Sequence, residues 1–275
     1  MKPIIAPLVG LAALLAVASP AAAAPAAHDA ALPTLKLTLT GKSIAVSSSP
    51  VSGAVNVTSI TKAAQASPTL VHLNPGVSSD KAFGAVASHH GDPNYLSGLA
   101  QIDYNTATTK GTNTDQTVLT PGNWVAMDTT NNHPAKWPHV AFTVIKSKHP
   151  RALPHADATV NMIDFAFTGP STWHDGEVIR FADAGFETHM VVAAKAPDST
   201  VAAALSAALV AGNDNAAQSM ATGFATFVGL ASPGAVRQQT ITASPGTYVV
   251  ACFMDTQDGH EHTRLGMVKT ITTTG

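Results

Sequence analysis

One β pattern occurs twice in this chain. The first copy reads Gln116-Thr117-Val118-Leu119-Thr120-Pro121-Gly122-Asn123-Trp124-Val125-Ala126-Met127-Asp128, and the second Gln239-Thr240-Ile241-Thr242-Ala243-Ser244-Pro245-Gly246-Thr247-Tyr248-Val249-Val250-Ala251-Cys252. Each copy runs from a strand through Pro-Gly to an aromatic residue and an apolar strand. Pro-Gly suits the middle of a type II turn, where glycine supplies the positive φ. Upstream, residues 67–76 parallel residues 189–198, both leaving a β-like run through a proline. A repeat this long is not a solenoid unit and specifies two tandem domains.

Composition fits a chain of buried β structure. Hydrophobic residues make up 45% and charged residues 12%, the opposite of a solvated disordered chain. The net charge is −2 and the Lys and Arg residues are scattered, so nucleic-acid binding and strong membrane steering are not expected.

Residues 1–27 read as a secretory signal. Lys2 is a minimal positive head, residues 4–17 an apolar core, and residues 19–27 a small-residue tail with several Ala-x-Ala choices. A secreted or periplasmic, envelope location follows, with no membrane span after signal cleavage. A linker is expected at 146–156, which carries Pro150 and Pro154, dividing the mature chain into domains 28–150 and 151–275. In the second domain strands are expected at 159–167, 177–182, 187–194, 236–243, 247–253 and 265–272. An Ala-rich helix capped by Asp198 or Ser199 should run to Val210 and stop at Gly212. A second short helix is expected at 215–222, and a weaker helical counterpart in the first domain near 79–88. The fold class is mostly β, with one helical insertion per unit.

Cys252 is the sole cysteine. An exported chain cannot use it for an internal disulfide, and an idle thiol outside the cell is an oxidation liability. It heads a segment in which His262 and Met267 follow. Thiolate, imidazole and thioether form a soft donor set suited to copper in a His₂Cys arrangement with a weak axial Met. His189, opening a strand after a Gly-containing turn, is the candidate for the second imidazole. His260 rivals His262, which is preferred because its step to Met267 allows a turn aiming both inward. Glu187 and Glu261 read as solvated side chains, with orientation of a ligand as the alternative role for either. Against this stands the reading of Cys252 as a small buried hydrophobe and Met267 as a core filler. In the first unit Asp128 occupies the Cys252 position and Ser67 the His189 position, so that unit reads as a metal-free copy. His89, His90, His133 and His149 are expected to be loop histidines.

The C-terminal segment resembles the cupredoxin superfamily, the blue-copper β-sandwich. Secreted bacterial members read Pro-Gly-x-Tyr-x-x-x-Cys-Phe, then Asp-Gly-x-x-His, then Gly-Met. The matching residues are Pro245, Gly246, Tyr248, Cys252, Phe253, Asp258, Gly259, His262, Gly266 and Met267. The resemblance implies two tandem Greek-key sandwiches and one type 1-like copper held by His189, Cys252, His262 and Met267. It departs from the small carriers in a longer Cys-to-His loop and a larger helical segment. Ala251 and Phe253 flank the cysteine, where multicopper enzymes carry histidines that wire it to a second site. One-electron transfer to a redox partner not specified by the sequence is therefore expected rather than catalysis. The alternatives are a metal-free extracellular binding or structural module and a copper-sequestering protein.

Other signals carry less. Thr40-Gly41-Lys42-Ser43 resembles a P-loop end, but Lys36 stands where the first glycine belongs.

Overall fold

The computed structural model describes residues 31–47, 50–131 and 133–275; the expected signal segment lies outside them. The first unit comprises β1 (Thr34–Leu39), β2 (Ile44–Val46), β3 (Gly53–Ala66), β4 (Pro68–Leu73), α1 (Ser79–Ser88), β5 (Ala100–Asn105), β6 (Thr108–Leu119), β7 (Gly122–Asp128) and β8 (His139–Val144). The second comprises β9 (Ala158–Ile163), β10 (Ala166–Thr168), β11 (Thr172–His174), β12 (Val178–Asp183), β13 (His189–Ala196), α2 (Ser199–Val210), α3 (Asp214–Met220), β14 (Gly223–Ala231), β15 (Val236–Thr240), β16 (Gly246–Ala251) and β17 (Val268–Thr274).

The sequence repeat is a repeat of topology. In the first unit β3 pairs with β6, β4 lies between β5 and β7, and β8 flanks β7. In the second β12 pairs with β15, β13 lies between β14 and β16, and β17 flanks β16. Parallel pairing of β1 with β3 is matched by β9 with β12. In each unit the chain leaves one sheet, makes an antiparallel pair in the other, returns, and crosses again to the far side of that pair. Gly122 and Gly246 start the equivalent strands β7 and β16 at φ of 145° and 152°, which side chains bearing a Cβ rarely adopt.

The two units share a sheet. β15 pairs antiparallel with β6 at Arg237↔Thr117 and Gln238↔Gln116, fusing two four-stranded sheets into one of eight, in the order β10-β9-β12-β15-β6-β3-β1-β2. The opposing sheets remain separate, four strands in the first unit and five in the second. Residues 146–156 form no strand, but they pack on β3, where Ala54 N–H donates to Arg151 O at 2.9 Å.

The helical insertion explains why β16 lacks polar alternation. Tyr248, Val250 and the adjoining Cys252 face the sandwich core with Trp173, Phe181 and Phe227. Val249 and Ala251 face outward, where Ala202, Leu205 and Leu209 of α2 cover them. A strand buried on both faces needs apolar residues at every position. Asp198 caps α2 as expected, its side chain accepting Val201 N–H at 2.8 Å.

One expected strand is divided. The run 159–167 breaks into β9 and β10, which pair as a hairpin turning at Asp164 and Phe165. Asp164 is a turn residue, but it stands alone among β-formers, so β-rich composition conceals the reversal. The final strand starts later than expected, at Val268, because Gly266 (φ 99°) still belongs to the preceding loop.

Candidate metal centre

Strand register brings the candidate donors together. β13 and β16 pair from Ala196↔Thr247 to Val192↔Ala251, which sets Cys252 beside the opening of β13, where His189 lies. Met190 N–H donates to Cys252 Sγ at 3.3 Å, and Cys252 N–H to Met267 O at 3.2 Å. The long segment after the cysteine folds back on itself. His262 N–H donates to Met254 O at 2.8 Å, and Asp255 bridges to Glu261. His262 O then accepts Leu265 N–H and Met267 N–H, at 3.1 and 2.9 Å. That tight reversal returns Met267 to the core beside Cys252. The first unit braces the loop, with Asn94 Nδ2 donating to Asp255 O at 2.9 Å.

His189, Cys252, His262 and Met267 are all fully buried. His189 Nδ1 lies 3.2 Å from His262 Nδ1 and 3.8 Å from Cys252 Sγ, and His262 Nδ1 lies 3.4 Å from that sulfur. A point equidistant from the three atoms is about 2.0 Å from each, an ordinary metal–nitrogen bond length and about 0.3 Å shorter than a metal–sulfur one. Among the described residues this is the one group of three such donors within bonding reach of a common ion. The donor chemistry and spacing fit a type 1 copper. His260 is not part of it; it is exposed, 3.7 Å from Asp258.

Electrostatics keep the imidazoles neutral and ready to coordinate. Burial holds His189 below the usual imidazole range, partly offset by Asp164 beside it. Burial, then the neighbouring His189, lowers His262 to about 4. Burial pushes the Cys252 thiol up to about 12, against the amides of Met254 and Met190 that point at its sulfur. A cation entering the site therefore displaces the thiol proton. His262 packs edge-on against Phe165, ring centroids 4.8 Å apart, and its Nε2 is buried with no hydrogen-bond partner.

The residue that sequence reasoning missed is Asp164. Its Oδ1 lies 2.8 Å from His189 Nε2, and its carboxylate also accepts Phe186 N–H at 2.8 Å and Glu187 N–H at 3.2 Å. Burial opposes its ionisation, but the Phe186 amide, His189 and the Glu187 amide outweigh it and hold the carboxyl below the usual range. Glu187 supplies only that amide to Asp164, and buried Glu261 instead accepts the Thr263 hydroxyl. Asp164 is the lone charge between Ala158 and Thr168. That isolation was the available signal.

The equivalent pole of the first unit is closed differently. Asp128, buried like Cys252, accepts Ser67 N–H at 3.0 Å, Thr130 N–H at 3.2 Å and the Thr130 hydroxyl. Thr129 Oγ1 donates to Ser67 Oγ at 3.0 Å. Hydrogen bonds fill the place that convergent lone pairs take in the second unit.

No protein-family model matches the sequence, and no curated protein matches it. Solved structures do show likeness. Dithionite-reduced auracyanin from the photosynthetic bacterium Roseiflexus castenholzii is 19% identical, over 42% of this chain and 95% of that one, with a TM-score of 0.27. Auracyanin A, a "blue" copper protein from Chloroflexus aurantiacus, is 14% identical, over 42% and 99%, with a TM-score of 0.26. Copper nitrite reductase from Nitrosomonas europaea is 12% identical, over 88% and 94%, with a TM-score of 0.24. The tandem sandwiches described above, with a buried His–Cys–His group at one pole, are the features that the resemblance to cupredoxins implies.

Proposed function

We propose that this is an exported one-electron carrier in which His189, Cys252 and His262, with Met267 as a weaker donor, would hold a single copper ion. The observation that carries the reading is the convergence of three buried donor atoms on one point. Copper in such a set would supply reversible one-electron exchange, its potential tuned by the thioether and by hydrogen bonds to the sulfur.

The chain's own residues do the rest. Met190 and Met254 amides steady the Cys252 sulfur. The β13–β16 ladder and the closed 252–267 loop fix donors that lie far apart in sequence. A ligand frame set by packing changes little between oxidation states, so little reorganisation opposes transfer. Water is kept out by the burial of all four side chains. Transfer rather than substrate chemistry is favoured because Ala251 and Phe253, not histidines, flank the cysteine.

The test is reconstitution of the mature protein with one equivalent of Cu(II). An intense band near ~600 nm is expected from a thiolate–copper site of this type, and Cys252→Ser should abolish it. A colourless protein that releases all its copper on desalting would leave Cys252 as a core residue.

A further inference from the structure

Position 185 must lack a side chain for the His189–Asp164 contact to exist. A Cβ on Gly185 would stand 2.4 Å from Asp164 Oδ1 and 2.7 Å from His189 Nε2. The φ of Gly185 is not in the left-handed region, so the demand is for space rather than backbone freedom. Its N–H donates to Asp183 Oδ1 at 3.0 Å, which pins the turn against the pair. Asp164 is itself locked by the amides of Phe186 and Glu187 from the same turn. The 184–188 turn thus acts as a cradle that fixes a carboxylate against the outer nitrogen of one candidate ligand.

A neutral imidazole carries one N–H. The 2.8 Å contact to a carboxylate places that proton on Nε2 and leaves Nδ1 as a lone pair aimed at Cys252 and His262. A carboxylate behind an imidazole also strengthens it as a donor. Its negative charge favours the more highly charged ion at Nδ1.

We propose that Asp164, seated by Gly185, is the positioning residue of the metal centre: it sets the tautomer of His189 and biases the site toward Cu(II) over Cu(I). The second half rests on the copper reading above; the first does not.

Three variants separate the effects. Asp164→Ala removes the acceptor, Gly185→Ala pushes it away, and Asp164→Asn retains an amide oxygen for Nε2–H but loses the charge. Ring ¹⁵N NMR of the metal-free protein should show His189 protonated at Nε2 in the wild type and in Asp164→Asn, and should lose that signature in the other two. Competition with Cu(II) and Cu(I) chelators should show Cu(II) affinity falling by roughly 10- to 100-fold in Asp164→Ala and Gly185→Ala, with a smaller loss for Cu(I). All three variants should have a raised reduction potential, by about 59 mV for each tenfold difference between the two losses. Near-UV circular dichroism checks folding; if Asp164→Ala fails to fold, the other two carry the test. His189 protonated at Nδ1 in the wild type would overturn the tautomer assignment. Equal losses for both copper ions, with an unmoved potential, would overturn the bias. A wild type that takes up no copper sinks the function and the bias together, while the tautomer is still decided by the metal-free spectrum.

Discussion

Asp115→Ala should unlock the two units from each other. Asp115 on β6 and Arg237 on β15 meet at 2.8 Å where the eight-stranded sheet crosses from one unit to the other, with side chains only 4% and 5% exposed. The same carboxylate oxygen accepts the Tyr104 hydroxyl and the Asn113 amide, each at 2.8 Å. Arg237 also donates to Asn105 O at 3.1 Å and Thr106 Oγ1 at 2.9 Å. Removing Asp115 leaves a buried guanidinium without a counter-charge and two neutral donors without an acceptor. Breaking a buried pair from one side costs about 3–5 kcal/mol, whereas an exposed pair would cost about 1 kcal/mol or less. In the double variant Asp115→Ala/Arg237→Ala no charge is stranded, so its cost should fall short of the sum by about 0.5–3 kcal/mol. Urea unfolding followed by fluorescence reads this directly, because Trp124 is buried in the first unit and Trp173 in the second. With Trp137 also replaced, variants retaining Trp124 or Trp173 alone should unfold together in the parent background and apart, at lower midpoints, with Asp115→Ala. A single-variant cost under about 1 kcal/mol, or a strictly additive cycle, would refute the clasp.

Leu205→Ala should lower stability by about 2–5 kcal/mol, since it opens a cavity where α2 covers Val249 and Ala251. The urea midpoint should fall with an unchanged denaturant slope. Asp103, raised by burial to about 7, holds its proton more tightly in the folded chain than in the unfolded one. Its contribution is therefore fully present below the unfolded carboxyl range and is lost as pH rises through 7. Asp103→Asn should flatten the decline in melting temperature between about pH 4 and 7, and should stabilise the protein at higher pH.

The tandem sandwiches were legible because their punctuation is local: Pro121-Gly122 and Pro245-Gly246 announce the same strand twice, and Asp198 caps α2 through its own near neighbours. The candidate donors were legible because a soft thiol, imidazole and thioether lie close in sequence, and strand order supplies His189. Asp164 showed only as an isolated charge. Its action comes from the β9–β10 reversal and from a gap left by Gly185, neither of which leaves a trace in periodicity or spacing. The fusion of the units was equally hidden, because the pairing of Arg237 with Thr117 joins residues far apart in the chain.

Comparison of the two poles yields a prediction that separates scaffold from chemistry. Asp128 and Cys252 follow or end equivalent strands, and each accepts an amide from the opening of the neighbouring strand, Ser67 N–H in one unit and Met190 N–H in the other. Asp128 further accepts two donors from Thr130. Truncating it to alanine strands three buried or half-buried donors, and an unsatisfied buried donor costs about 1–3 kcal/mol. Cys252→Ala strands only weak sulfur contacts and removes one heavy atom that packs as a small hydrophobe. In the metal-free protein Asp128→Ala should therefore be the more damaging change, by about 1 kcal/mol or more, although it has no candidate ligand beside it. With copper present the ordering should narrow or reverse, because a bound ion stabilises only the chain that retains the thiol. Chemical denaturation of both variants, with and without one equivalent of copper, reads the two differences. A metal-free Cys252→Ala that loses as much stability as Asp128→Ala would mean that the thiol is a packing element of the second sandwich, as indispensable to its fold as the hydrogen-bonded carboxyl is to the first.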